Sequence, residues 1–270
     1  MTHKPSFRTE IDGCTATAEA LSPLAFAGFA HFTAMQVREG AVRGLDLHLA
    51  RLRKASLAFF GQAMPDELVL ARLRNAVAAG PDDLSLTATM FSRPGEFTAT
   101  GAQNDPALLV RTAPAHDGPS GPLSLALVAH ERPFAEIKHV GEASKTHYLR
   151  QAVAAGFDDA AFVDGDGKIS EATIWNLAFW DGEAVVWPEA AMLRGVTMSI
   201  VSRQLERLGV AQRQAPIRLE DLAGLKGAAV MNSWTPGVAV NRIGEISLPT
   251  PKAFIDSLHA AYAMEPAVSL

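Results

Sequence analysis

The sequence holds one cysteine, Cys14, among its 270 residues. A disulfide within the chain needs two thiols and a cysteine-built zinc site needs more, so both are excluded. A lone thiol is consistent with a reducing compartment, and the expected location is the cytoplasm. Basic clusters are missing too. Lys and Arg number 24 against 29 Asp and Glu, a formal net charge of −5, and neither cation forms a dense block. That balance leaves no electrostatic footprint for nucleic acid or for an anionic membrane surface. No apolar run approaches the roughly 18–20 residues of a membrane span. The opening MTHKPSFRTEIDG is polar and charged and does not read as a signal peptide. No internal repeat is visible. The expectations are therefore no nucleic-acid partner, no membrane and no metal.

The material that is present is globular. Hydrophobic residues make up 48% and charged ones 20%, enough apolar content for one large core or two ordinary ones. The strongest boundary signal is AHDGPSGP at 115–122, rich in Gly and Pro after an apolar run. It predicts an N-terminal domain over 1–114, a linker over 115–122 and a C-terminal domain over 123–270.

Periodicity predicts strands at 15–20, 29–37, 84–91 and 107–112 in the first half, with a turn at Glu39-Gly40. Helices are expected from an Asp46 N-cap to about Phe59, and over 65–79. Leu49, Leu52, Leu57 and Phe60 are the candidate apolar contacts of the first. In the second half, 123–128 reads as a strand and 140–155 as a helix with Leu149, Ala152 and Val153 on one face. A meander follows: AAFVD, KISEAT, IWNLAFW and EAVVW, joined by GDG and DG turns. A helix is expected over 197–208 with Val201, Leu205 and Leu208 periodic, short strands at 228–231 and 238–241, and a closing helix at 254–264. Strands and helices mix without strict βαβ alternation, so the fold class is α+β in two units.

Four features of the second half carry chemistry. Lys138 lies between a strand and a helix. Glu171 sits in the meander, followed by Asn176. Gly195-Val196-Thr197 opens a helix. Asn232-Ser233 follows a short apolar strand. Each has an ordinary reading alone: a solvated lysine, an exposed sheet carboxylate, a helix cap. Together they supply a helix N-terminus and hydroxyls suited to phosphate, a carboxylate for a pyridine nitrogen, and a lysine that can hold an aldehyde as a Schiff base. Those are the requirements of pyridoxal phosphate. Lys145, seven residues after Lys138, is a second candidate amine. If both lay on one helix they would be about 10 Å apart at about 1.5 Å rise per residue, and one aldehyde cannot serve both.

In order and wording, IKHVG, GFDDAAFVDGDGKISEATIWNLAF, DGEAVVWP and LRGVTM resemble the class IV aminotransferases, the fold type IV pyridoxal-phosphate enzymes. That family includes branched-chain and D-amino acid aminotransferases and aminodeoxychorismate lyase. In the first half, FTAMQVREGAVRGLDLHLARLRKAS is similar to the family's strand–turn segment and its H-x-x-R-L. The resemblance runs from Phe32 to about Val240. It implies a two-domain fold, with a small N-terminal α/β domain and a larger C-terminal domain of mixed or antiparallel sheet with flanking helices. It implies that pyridoxal 5'-phosphate is the cofactor and that the enzyme is a homodimer.

Carried over by position, the resemblance makes Lys138 the Schiff-base lysine and proton shuttle. The 18 residues from Lys138 to Gly156 are close to the family's lysine-to-glycine spacing; Lys145 leaves only 11. Glu171 pairs with the pyridine nitrogen. Arg51 grips the phosphate, a suitable task for a bidentate guanidinium. Val196 and Thr197 add backbone N–H groups and a hydroxyl, Ser233 adds another hydroxyl, and Asn176 belongs to the same cofactor site. His48 reads as a structural core histidine.

The departures concern substrate. The family's F-E-x-x-R is FTAMQ here, with Gln36 at the arginine position; Arg38 is the candidate for substrate carboxylate, with Arg43 as another. Met198 replaces the arginine of G-(I/V)-T-R. Ala143 stands where many transaminating members have tyrosine, and Tyr148 lies too far along to be equivalent. The implied function is an aminotransferase that joins an amino acid or related amine to a 2-oxo acid acceptor. A β-eliminating lyase of the aminodeoxychorismate type and a non-catalytic, metabolite-binding relative are the alternatives.

Overall fold

Residues 7–26, 28–78, 80–94 and 106–270 are described by the structure, a computed structural model. Ala79, the end of the second expected helix, and the first six residues of the polar opening lie outside them. The chain divides into two compact units. One comprises Met1–His116, Ile137–Glu142 and Pro266–Leu270; the other comprises Asp117–Glu136 and Ala143–Glu265.

The first unit is built on an antiparallel sheet of β1 (Thr9–Ile11), β2 (Cys14–Thr15), β3 (Ala30–Val37), β5 (Leu84–Phe91) and β6 (Ala107–Pro114), in the order β2-β1-β6-β5-β3. β3 shows the two-residue period of a strand with one buried face: His31, Thr33, Met35 and Val37 are buried and the residues between them are partly exposed. Helices α2 (Leu45–Phe60) and α3 (Asp66–Val77) cover that face, with Leu52, Phe60, Val69 and Leu73 in one core with Met35 and Leu86. Strand β4 (Ala41–Arg43) pairs with β16 (Ala267–Ser269). Arg38 and Ala41 exchange backbone hydrogen bonds around Glu39 and Gly40, both at positive φ, so the expected turn is there.

The second unit holds β7 (Leu123–Ala129), β8 (Asp159–Val163), β9 (Ile169–Ala172), β10 (Asn176–Trp180), β11 (Val185–Pro188), β12 (Gln212–Ala215), β13 (Gly227–Met231), β14 (Val238–Ile243) and β15 (Ile246–Ser247). The pairing runs β12-β11-β10-β13-β14-β7-β8-β9, and β9 returns to β10, which closes a ring of strands. The sheet is mixed: β7 is parallel to β8 and β14, and β11 to β12, while the meander pairs are antiparallel. Along β10, Leu177 and Phe179 join one core with Leu125, Ile169 and Val230. Ala178 points the other way, into a core with α5 (Val196–Arg207) and α6 (Lys252–Ala263). The α+β fold expected from the pattern of elements is the one observed.

Several local expectations change. The strand expected over 15–20 ends at Thr15, and helix α1 (Ala18–Phe26) takes over. Thr17 Oγ1 accepts the Ala20 N–H at 3.1 Å, an N-terminal cap, and the Ala- and Leu-rich run that follows favours a helix. Asp46 is not the N-cap of α2. Gly44, at φ 67, holds that place, and Asp46 lies in the first turn, where a negative charge suits the helix dipole. Helix α4 (Ala143–Ala154) begins at Ala143 rather than Val140, because Val140 N–H is bonded to Ala30 O at 2.9 Å. Leu57, Val153 and Leu208, expected on packed faces, are exposed. Among the described residues no helix is long and apolar enough to cross a membrane.

Candidate functional site

In the second unit, the separate sequence features form one connected path. Glu171 on β9 pairs across the sheet with Asn176 on β10. Asn176 turns its side chain onto the loop before α5: Nδ2 donates to Leu193 O at 2.6 Å, and Oδ1 accepts the Gly195 N–H at 3.0 Å. A Cβ at Gly195 would overlap Asn176 Oδ1, so only glycine permits this clamp. Gly195 is the N-cap of α5. The N–H groups of the next residues, Val196, Thr197 and Met198, have no acceptor within their own helix, as at any helix start. Thr197 Oγ1 donates to Asn232 O at 2.8 Å, which brings the end of β13 to the same helix start. Ser233 follows, and Trp234 N–H closes on Asn232 Oδ1 at 2.8 Å.

Glu171 is buried, and its Oε1 accepts from Arg132 Nη1 at 2.8 Å. Arg132 is buried too and also donates to Ala135 O at 2.8 Å. A carboxylate held out of water needs such a counter-charge. Sequence reasoning missed Arg132: nothing in ERPFAEIK separates it from a surface arginine. Met198 explains one departure. It is fully buried among Val201, Leu205 and the sheet, a place for an apolar side chain.

In the first unit, the segment 137–142 lies along β3. Phe32 N–H donates to Lys138 O at 2.8 Å, and His31 and His139 form a bridge pair. Lys138 Nζ sits 4.8 Å from the centroid of the Phe32 ring, a cation–π contact. Lys145 belongs to the other unit, on α4. Of the two lysines of EIKHVGEASKTHYL, Lys138 thus falls in the first unit and Lys145 in the second. Ala143 is the exposed first residue of α4. Tyr148 packs by its ring against His130 and Phe162, at centroid distances of 5.0 and 5.9 Å.

Arg51 stands on α2, one turn past His48, and burial lowers its pKa to about 10, so the guanidinium stays charged at neutral pH. His48 Nδ1 lies 2.6 Å from Thr33 Oγ1, and burial, aided by the Arg51 charge, lowers its pKa to about 3. It is a neutral core histidine. Arg38 donates to Gln36 Oε1, Val37 O and His116 O at 2.9–3.1 Å. Gln36 Oε1 also accepts the His116 N–H at 3.0 Å. The two side chains grip the main chain of His116.

The residues of the second unit fit a phosphorylated pyridine. A helix start with open N–H groups is flanked by the hydroxyls of Thr197 and Ser233, and the Ser233 hydroxyl has no hydrogen-bond partner among the described residues. A charge-balanced carboxylate, Glu171, is linked to it through one cross-strand pairing and the Asn176 side chain.

The model of the amino-transferase class IV family matches residues 30–243. A probable branched-chain-amino-acid aminotransferase of Rickettsia felis is 28% identical over 108 residues, 40% of this chain and 36% of that protein's length. The matched stretch is thus little more than a third of that relative. Among solved structures, the branched-chain amino acid aminotransferase from Escherichia coli superposes with a TM-score of 0.84 at 14% identity, over 96% of this chain and 94% of that one. Another branched-chain amino acid aminotransferase, determined with pyridoxamine 5'-phosphate, superposes with a TM-score of 0.81 at 17% identity, over 96% and 93%. A putative 4-amino-4-deoxychorismate lyase from Legionella pneumophila superposes with a TM-score of 0.76 at 17% identity, over 95% and 94%. All three show a shared fold.

Proposed function

This chain belongs to the class IV aminotransferase family, and we propose that it is a pyridoxal-phosphate-dependent aminotransferase that moves an amino group from an amino acid or related amine to a 2-oxo acid. The observation that carries this reading is the connected path from Glu171 through Asn176 and Gly195 to Thr197 and Asn232-Ser233. A further support is the shared fold with an enzyme determined with pyridoxamine 5'-phosphate.

The roles follow from the side chains. Glu171, balanced by Arg132, accepts a hydrogen bond from the protonated ring nitrogen. The N–H groups of Val196 and Thr197, with the Ser233 hydroxyl, would receive the phosphate at the positive end of α5, and the Thr197 hydroxyl, which donates to Asn232 O, ties the Asn232-Ser233 corner to that helix start. The family resemblance assigns Arg51 to the same group, for which its charged guanidinium is suited. Asn176 acts through the loop it clamps. Pyridoxal phosphate supplies an aldehyde that captures amines and a ring that takes up an electron pair. With the cofactor bound, Lys138 Nζ would be the amine that holds its aldehyde, and once freed it would carry the proton from the donor's α-carbon to the cofactor carbon. The Phe32 ring, beside Lys138 Nζ, would help to orient that amine. As the family resemblance implies, the working form is a homodimer.

The test is a half-reaction panel. The cofactor-loaded protein is mixed with L- and D-amino acids and simple amines, and conversion of pyridoxal to pyridoxamine phosphate is followed by chromatography. Conversion by at least one donor is expected. Silence across the whole panel, with cofactor bound, overturns the reading.

Ala143 favours a second reading, β-elimination, because many transaminating relatives have tyrosine there; the Legionella structure shares the fold. Release of pyruvate without any amino acceptor distinguishes it.

A further inference from the structure

Asp159 is the only charged residue in its strand, DAAFV, and it is 4% exposed. Three donors converge on its carboxylate. Oδ1 accepts the Ala160 N–H and the Thr173 hydroxyl, each at 2.6 Å; Oδ2 accepts Trp175 Nε1–H at 2.9 Å. Burial pushes the carboxyl's pKa up, and these three donors, with the Thr173 N–H, oppose that shift. Thr173 and Trp175 are not scattered partners. They belong to the turn that joins Glu171 on β9 to Asn176 on β10. Ala172 N–H closes the turn on Trp175 O at 2.9 Å, and Thr173 N–H ties it to Ala160 O at 3.1 Å. The Trp175 ring also meets Trp234 edge-on, with centroids 5.7 Å apart, and Trp234 follows Ser233.

We propose that Asp159 is the positioning residue for the cofactor end of this site. It fixes the Thr173–Trp175 turn, and through that turn the place of Glu171, the grip of Asn176 on Gly195, and the Trp234–Ser233 corner. The proposal rests on the pyridoxal-phosphate reading above. Asp159 touches neither cofactor nor substrate in this role; it acts through the residues on either side of the turn. A supporting bond of this kind sets where a contacting group sits, and its loss commonly weakens ligand binding at the site.

Asp159→Asn tests it with one atom changed. The amide orientation that keeps Ala160 and Thr173 bonded sets NH2 against Trp175 Nε1–H, two donors face to face. Trp175→Phe removes the opposing donor. The wild type, D159N, W175F and D159N/W175F are titrated with pyridoxal 5'-phosphate, with the visible absorption band, the dissociation constant and the melting temperature recorded. In D159N the dissociation constant is expected to rise about tenfold or more, and the band to shift because Glu171 has moved from the ring nitrogen. In the double variant, affinity returns to within about threefold of W175F alone. An unchanged constant and band in D159N overturn the proposal. So does a loss that W175F fails to relieve, since that is the behaviour of a purely structural residue. If D159N does not fold, T173V and W175F decide: each removes one donor, each is expected to weaken binding about threefold or more, and unchanged affinity in both overturns the proposal. A wild-type chain that binds no pyridoxal phosphate instead overturns the cofactor reading itself.

Discussion

Arg132 Nη1 donates to Glu171 Oε1 at 2.8 Å, and both side chains are almost wholly withdrawn from water. The pair joins a residue that sequence reasoning singled out to one it passed over. Removing only the cation leaves a carboxylate buried without its counter-charge. Arg132→Met is therefore expected to lower stability by about 3–5 kcal/mol, read from urea unfolding. Arg132→Met/Glu171→Leu removes both charges and recovers most of that loss, because a buried ion pair contributes little beyond an apolar pair of similar volume. The same double variant loses affinity for pyridoxal phosphate, so stability and binding separate. Equal instability of the single and double variants would mean the pair is not a coupled unit.

The lysine assignment makes a chemical prediction. Borohydride reduction of the cofactor-loaded protein fixes the cofactor on one amine, and peptide mass analysis locates it. Lys138→Ala abolishes the adduct; Lys145→Ala retains it. An adduct that persists in Lys138→Ala moves the assignment to Lys145.

Gly195 makes the phosphate end testable. A Cβ there overlaps Asn176 Oδ1, so Gly195→Ala forces Asn176 to release the loop that opens α5. Affinity for pyridoxal phosphate is expected to fall about tenfold or more, as for a lost supporting contact. Asn176→Ala makes room for the new methyl group but loses the same clamp, so the two changes combined cost little more than Asn176→Ala alone. Strictly additive losses would separate Asn176 from the helix start.

Much of the fold could be read from the sequence because the elements with a single buried face advertise it. The alternation in β3 follows the two-residue period of a half-buried strand, whereas β8 to β11 are buried on both faces and were marked by short apolar runs between GDG and DG turns. What escaped notice was set by tertiary pairing. The segment 137–142 has helical neighbours, yet it pairs with β3, which decides where α4 begins. At the site, Glu171, Thr197 and Ser233 were visible because their residue types match a chemistry in a known order. Arg132 and Asp159 were not, because their meaning lies in partners 39 and 14 residues away. Asp159 carried one usable signal, a charge inside an otherwise apolar strand, which is rare unless the charge is paired.

The first unit's core sets a pH dependence. His31 and His48 are both buried, and burial lowers each pKa from 6.5 to about 3. Between those values the unfolded chain binds protons that the folded chain refuses, so stability rises with pH across the window and is lost as pH falls below the unfolded value. Well inside the window each histidine contributes a slope of about 1.4 kcal/mol per pH unit. Asp159, with its pKa raised, works in the opposite direction as the pH approaches the carboxylate range. A comparison between two proteins cancels that term. His48→Gln retains a partner for Thr33 Oγ1 and cannot titrate. Urea unfolding of wild type and His48→Gln at about pH 7.5, above the window, and at about pH 6 and 5, in its upper half, is expected to show the variant losing stability more slowly within the window, by about one histidine's slope. Parallel curves would mean that His48 is protonated in the folded protein, and the hydrogen bond to Thr33 would then need a different donor.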